Sequence, residues 1–217
     1  MEGLRPERGR IDRAEILSRA RALVPLLSEK AAETERNRSI LPEIHDRLMA
    51  AGLFHIMMAP RLGGLGLDVA THLEVAGILA EGCGSSAWVQ NLAGYQNFLV
   101  GWYSREAQDE VIAAGRPVFS GLVMGPPVFA GIVDGGVRLS GRWPYVSGID
   151  QCSWLQLSAK DPRVTEGKPR VLTCLLPREQ AIIDDDWHCM GLKGTGSKTA
   201  ILDDVFVPAH RVMCFRE

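Results

Sequence analysis

The sequence predicts an α+β protein: an all-helical N-terminal domain over residues 1–115, followed by a small β-domain over residues 116–217. Two observations carry that reading. Up to about residue 115, apolar residues recur at the three- and four-residue spacing of a helix face; after Pro117 they come in short runs bounded by Gly and Pro. A third is composition: 217 residues with 46% apolar and 23% charged side chains can bury one domain core or two small ones, which excludes a disordered or fibrous chain.

The first helix is expected over residues 12–36, where Ile16, Ala20, Leu23, Leu27 and Ala31 form one face and Pro25 is expected to kink or divide the run. A second covers about 41–51, with Ser39 as its cap, Pro42 in its first turn and Gly52 after its end. Asp68 caps a third that ends near Gly82, and Ser85 or Ser86 caps a fourth running to about Tyr103. Ser104 caps a short fifth, closed by Gly115. The apolar stretch from Ala87 to Tyr103 is interrupted by Gln90, Asn91, Gln96 and Asn97, so it reads as a buried helix and not as a membrane span.

Strands follow. Val118–Met124 is a short apolar run, and 128–133 with 137–141 form a hairpin about Asp134-Gly135-Gly136, which supplies positive φ at low cost. Trp154–Lys160 and Val171–Leu176 are two more strands across a polar loop, and Leu202–Val207 is a last one ended by Pro208.

Charge and cysteine content narrow the function. Lys+Arg 24 against Asp+Glu 26 leaves no basic stripe for nucleic acid or an anionic membrane. Five scattered cysteines without a C-x-x-C pair, behind a polar N-terminus, read as reduced thiols of a cytoplasmic protein. The five histidines have no metal-ligand spacing, so no metal is expected.

Three segments bear on chemistry. Gly63-Gly64-Leu65-Gly66 lacks the Lys-Ser/Thr of a phosphate loop and reads as a tight connection. Gly191 to Ser197, with Lys193 and Lys198, offers backbone N–H groups, hydroxyls and cations, which suit either an anion cradle or a turn between strands. Ser147 ends a strand among aromatics without a nucleophile elbow, so it suits a hydrogen bond to a flat ligand resting on Trp143 or Tyr145. Trp88 and Trp102, fourteen apart, read as core.

Four segments stand out together: Ala59 to Asp68 (A-P-R-L-G-G-L-G-L-D); Leu79 to Val89 (L-A-E-G-C-G-S-S-A-W-V); Asp134-Gly135-Gly136 through Leu139 to Gly148 (L-S-G-R-W-P-Y-V-S-G); and Trp187 through Met190 to Ser197 (M-G-L-K-G-T-G-S), running into Asp204 to Arg211. In this order and spacing they resemble the acyl-CoA dehydrogenase superfamily, and within it the flavin-dependent monooxygenases of two-component systems. The resemblance implies a helical domain followed by an antiparallel β-barrel-like middle domain with a flavin, FMN or FAD, lying against it. The reduced flavin would come from a separate flavin reductase, and the substrate would be a small aromatic molecule. Phe119, Ser120, Leu122 and Met124 on one strand, Trp143, Tyr145, Val146 and Ser147 on another, and Gly194, Thr195 and Ser197 in the late motif would contact the cofactor.

The resemblance gives catalytic roles to Ser147, near flavin N5, and to Gln96. Gln96 stands where many family hydroxylases have a histidine, and it cannot act as a base at neutral pH, which weighs against phenol hydroxylation by that route. The chain stops at Glu217, where the family continues into a C-terminal helical bundle, so that bundle is expected to be absent. With the bundle present, the family pattern implies a homo-oligomer, specifically a tetramer. Two other readings compete: an acyl-CoA dehydrogenase or oxidase relative with bound FAD, and a non-catalytic assembly module.

Overall fold

The structure, a computed structural model, describes residues 11–115, 119–122, 128–167 and 170–214. Helix α1 spans Arg13–Asn37 without a break, opened by Asp12, whose carboxylate accepts the Glu15 N–H. Pro25 does not divide it. The proline lies on the solvent side, where water can meet the carbonyl it leaves unpaired, while Ile16, Leu17, Ala20 and Leu27 hold the other face in the core.

Helix α2 is Pro42–Ala50, with Pro42 at its first position. Ser39 does not cap it; the Ser39 hydroxyl instead pairs with the Gln151 amide in the turn before Trp154. Helix α3, Val69–Ala80, is capped by Asp68 through the Thr71 N–H at 2.7 Å. Helix α4, Gly84–Leu99, follows Cys83 with no side-chain cap, so Ser85 and Ser86 lie inside the helix instead of ahead of it. Helix α5, Arg105–Ala113, has its expected Ser104 cap, at 3.2 Å from the Ala107 N–H.

Eight strands follow among the described residues: β1 Phe119–Leu122, β2 Gly131–Val133, β3 Gly136–Val146, β4 Trp154–Lys160, β5 Val171–Pro177, β6 Ile182–Asp184, β7 Lys198–Pro208 and β8 Val212–Cys214. They form two four-stranded sheets, ordered β1-β4-β5-β8 and β2-β3-β7-β6. The hairpin turn at Asp134-Gly135 is as expected, with Gly135 at φ 73°. Two features depart from the sequence expectation. Strand β1 pairs parallel with β4, and β6 and β8, three residues each, are too short to show alternation.

Three clusters of buried side chains organise the described residues. One lies among α1 to α4, around Ile16, Ile44, Phe54 and Leu79. A second fills the space between the sheets around Leu139, Trp143, Leu157 and Leu202. The third, with Val100, Tyr103 and Val111 against Trp154, Leu175 and Met213, ties helices to sheet. Among the described residues no helix is long and apolar enough to cross a membrane.

The Gly63–Gly66 segment is a tight connection, as expected. A Cβ on Gly64 would fall 2.0 Å from the Met58 carbonyl oxygen, so only glycine lets the chain close this turn.

Candidate functional site

The site begins with an irregularity in β3. Its register against β7 shifts between Trp143 and Val146, and Tyr145 adopts φ 64°, a left-handed conformation that costs an aromatic residue about 1–3 kcal/mol. Strict alternation would place Tyr145 beside Trp143 on the inner face. The bulge instead turns Trp143 and Val146 both inward, each 0% exposed, and sends Tyr145 outward, where it is 65% exposed.

Gly148, at φ 74°, then brings the chain beneath α4, where a Cβ would sit 2.9 Å from a Val89 methyl. Its N–H donates to the Thr195 carbonyl at 2.8 Å, joining the two motifs.

Four hydrogen bonds run across this junction. The Trp88 indole N–H donates to Ser147 Oγ at 3.1 Å; Ser147 Oγ and Ser197 Oγ are 2.7 Å apart; Ser197 Oγ and Thr195 Oγ1 are 2.6 Å apart; and Thr195 Oγ1 donates to the Leu192 carbonyl at 2.9 Å. The Leu192 carbonyl also accepts the Trp187 indole N–H at 3.2 Å.

Above this chain of hydroxyls lies a cavity of about 420 Å³. Trp88, Leu92 and Tyr95 of α4 form one wall, and Tyr145 and Trp187, in edge contact at 6.1 Å, form the other. Ser147, Thr195, Ser197 and Gln96 supply the polar groups. Aromatic walls with a few convergent hydroxyls suit a flat, partly polar ligand.

The turn from Leu192 to Gly196 is held from the helical side. Glu35, near the end of α1, accepts hydrogen bonds from Ser85 Oγ, from the Lys193 N–H at 2.9 Å and from the Gly194 N–H at 3.1 Å. Burial opposes ionisation of Glu35, but these three donors outweigh it, and the carboxyl lies below its ordinary value. The anion that this turn cradles is therefore the protein's own carboxylate. Lys198 is likewise engaged, by Asp150 at 2.9 Å and Asp185 at 3.6 Å. Of the two readings the sequence leaves open for this segment, these contacts favour the turn.

Of the residues singled out from the sequence, Gln96, Tyr145, Ser147, Thr195 and Ser197 meet at the cavity. Trp143 does not: its ring is buried between the sheets and its indole N–H donates to the Ser158 carbonyl at 2.7 Å, so no ligand rests on it. The Val146 side chain is in the same core, and the Gly194 N–H is taken by Glu35. Phe119, Ser120 and Leu122 lie on β1, described through its backbone alone, and Met124 lies outside the described residues.

The reading of Trp88 as core is overturned, since it is 46% exposed and walls the cavity. Trp102 is likewise outside the core, at 61% exposure. Tyr95 and Trp187 also line the cavity, which nothing in their sequence positions indicates. Trp88, Leu92 and Tyr95 share a helix face by spacing, but spacing does not say whether that face meets a core or a cavity.

Away from the cavity, Glu106, Glu110 and His210 bring three ligand-type atoms within 4.8 Å of one another. Glu110 accepts from Arg211 at 2.6 Å and pairs with His210 at 3.0 Å; burial raises its pKa, these partners outweigh burial, and it lies below its ordinary value. Its charge is already met by the Arg211 guanidinium.

Residues 13–113 match the family described as acyl-CoA dehydrogenase, N-terminal domain. The oxygenase subunit HsaA of a flavin-dependent monooxygenase from Rhodococcus jostii (strain RHA1) is 35% identical over 201 residues, covering 92% of this chain and 52% of the relative. The oxygenase component of an FADH2-dependent resorcinol hydroxylase from Rhizobium sp. (strain MTP-10005) is 34% identical over 200 residues, covering 92% of this chain and 49% of the relative. Among solved structures, XiaF from Streptomyces sp. in complex with FADH2 and glycerol superposes with a TM-score of 0.84 at 35% identity, over 93% of this chain and 51% of that one.

The chain spans about half the length of the curated relatives it matches. Its helical part is similar to the acyl-CoA dehydrogenase N-terminal domain, and the chain is similar to oxygenase components of flavin-dependent monooxygenases.

Proposed function

We propose that this chain forms the flavin-facing part of the oxygenase component of a two-component monooxygenase, which receives reduced flavin from a separate reductase and hydroxylates a small aromatic substrate. The observation that carries this reading is the aromatic-walled cavity whose hydroxyl chain ends on Ser147. Its aromatic walls suit a tricyclic ring, and its hydroxyls suit the polar edge of that ring, so the residues present fit a flavin. When bound, the flavin supplies the activation of O2 that no side chain can supply.

The protein's part is to bind, orient and exclude water. Ser147 faces the N5 edge of the ring, held in place by Trp88 and Ser197, with Thr195 behind. Tyr145 and Trp187 cover one side of the ligand, and Trp88 with Tyr95 covers the other. Gln96 orients a substrate hydroxyl by hydrogen bonding and does not remove its proton. The FADH2 bound in the Streptomyces relative favours FADH2 over FMNH2.

The division at about residue 115 into helical and flavin-facing domains, a homo-oligomeric assembly and a cytoplasmic location belong to the same proposal. Anaerobic titration of the 217-residue chain with FADH2, FMNH2 and their oxidised forms tests it. Saturable quenching of tryptophan fluorescence by a reduced flavin is the expected result. Absence of binding by any of the four would remove the flavin reading.

A further inference from the structure

A second cavity, of about 490 Å³, lies behind the loop that walls the first. That loop, from Trp187 to Lys193, is closed on itself by the Trp187 indole bond to the Leu192 carbonyl, and it divides its side chains. Trp187 and Leu192 line the aromatic cavity, whereas His188, Met190 and Lys193 line the second one together with Arg36 and Arg38 from the end of α1.

Glu35 also lines the second cavity, but its carboxylate is not spent on these cations. It accepts from Ser85 Oγ and from the Lys193 and Gly194 N–H groups, all neutral donors. The backbone of the turn is thereby used up, while the Lys193 ammonium is not. It acts on Glu35 through space, yet it makes no hydrogen bond or ion pair among the described residues. Arg36, exposed in the last turn of α1, likewise makes none among the described residues. Arg38 is the fixed member: it ends the helix at φ 54°, pairs with Asp185 at 2.5 Å and donates to the Trp187 carbonyl at 3.2 Å. A cation at a helix C-terminus is favoured by the carbonyls there, which accounts for Arg36 alone. It does not account for Lys193, which reaches the same cavity from a loop distant in sequence.

We propose that this cavity binds a phosphate or diphosphate group of a small molecule, at a site separate from the aromatic cavity. The donors on Arg36, Arg38 and Lys193 outnumber the two oxygens of a carboxylate ligand, whereas a phosphate or diphosphate offers enough acceptors for all three. A guanidinium fork matches a pair of phosphate oxygens, and the Lys193 ammonium adds a point charge beside it. The inference does not depend on the flavin reading. An anion held there grips the Trp187–Lys193 loop from behind, through Lys193 and through Arg38 on the Trp187 carbonyl.

Isothermal titration calorimetry with inorganic pyrophosphate at fixed ionic strength tests it, on the 217-residue chain and on Lys193→Gln, Arg36→Gln and Arg21→Gln. Arg21 is exposed on α1 and does not line the cavity, so it carries the same change of charge elsewhere. The expected result is saturable one-site binding by the parent, about tenfold weaker in Lys193→Gln and in Arg36→Gln, and within about twofold of the parent in Arg21→Gln. Circular dichroism establishes that each variant is folded; if Lys193→Gln is not, Arg36→Gln, at an exposed position, carries the comparison. Pyrophosphate binding is expected to persist in the presence of FADH2.

A parent chain without saturable pyrophosphate binding would overturn the inference. So would an equal loss in Arg21→Gln, which would point to net charge instead of a site. Displacement of pyrophosphate by FADH2 but not by reduced riboflavin would also overturn it, because the cavity would then hold the cofactor's own diphosphate. The first two results leave the flavin reading untouched.

Discussion

The Trp88 indole donates to the Ser147 hydroxyl at 3.1 Å, and that bond joins the helical part of the chain to the sheet at the edge of its aromatic cavity. Trp88 comes from the middle of the helical run and Ser147 from the end of a bulged strand 59 residues later. The helical part is thus a wall of the site as well as a support for it.

Replacing Ser147 by alanine removes the hydroxyl proposed to face the flavin edge and leaves the Trp88 N–H and the Ser197 hydroxyl without this partner. In an active assembly, peroxide released per product formed is expected to rise about five- to tenfold, the scale of one hydrogen bond. Measuring peroxide and product in the same reaction checks it, and an unchanged ratio would remove Ser147 from the mechanism.

Trp88→Phe keeps a flat wall but loses the indole N–H. Since Trp88 is 46% exposed, the cost in folding stability is expected to be under about 1 kcal/mol, while reduced-flavin affinity falls several-fold. Urea unfolding and anaerobic titration of the same preparation separate the two effects.

Glu35→Gln replaces the carboxylate that holds the Leu192–Gly196 turn with a group that has one acceptor and two unwanted donors. A loss of about 1–2 kcal/mol in urea unfolding at pH 7 is expected. The pH dependence follows from the lowered carboxyl: stability from Glu35 is present above its ordinary value of 4.5 and lost as pH falls through the lower folded value. The Gln variant is expected to lose that part of the acid sensitivity.

His72 acts in a higher window. Its ring is 2% exposed, Nε2 lies 3.1 Å from the Asn91 carbonyl, and it packs so closely on Gly94 that a Cβ there would sit 2.3 Å from the ring. Burial lowers its pKa from 6.5, so the unfolded chain binds the proton more readily than the folded one. Stability is expected to be complete above about pH 6.5 and to fall as pH drops through the lowered folded value, with His72→Gln flattening that slope. Urea midpoints at pH 5.5 and 7.5 give the comparison.

Much of the fold could be read in the residues because its signals are local. Asp68 and Ser104 cap their helices, Asp134-Gly135 turns its hairpin, and Trp154–Lys160 is the strand its pattern indicates. What could not be read depends on partners distant in sequence. The parallel pairing of β1 with β4 has no turn to announce it, and Pro25 is tolerated because of what the opposite face of α1 packs on.

The site divides in the same way. Ser147, Thr195 and Ser197 lie in motifs visible along the chain, and the structure brings them together at the cavity. Trp143 and Tyr145 part company because the bulge between Trp143 and Val146 breaks the alternation of a regular strand: Trp143 enters the core and Tyr145 lines the cavity. The place of Trp88 is not legible in the sequence, because helical spacing identifies a face without identifying its neighbour.

The central claim is that Ser147 meets the N5 edge of a reduced flavin lying between the Trp88–Tyr95 wall and the Tyr145–Trp187 wall. A crystal structure of the chain soaked anaerobically with FADH2 tests it directly. The expected result is flavin N5 about 3 Å from Ser147 Oγ, with the ring between those walls. A flavin bound elsewhere on the chain, or in the cavity with N5 turned away from Ser147, would contradict it.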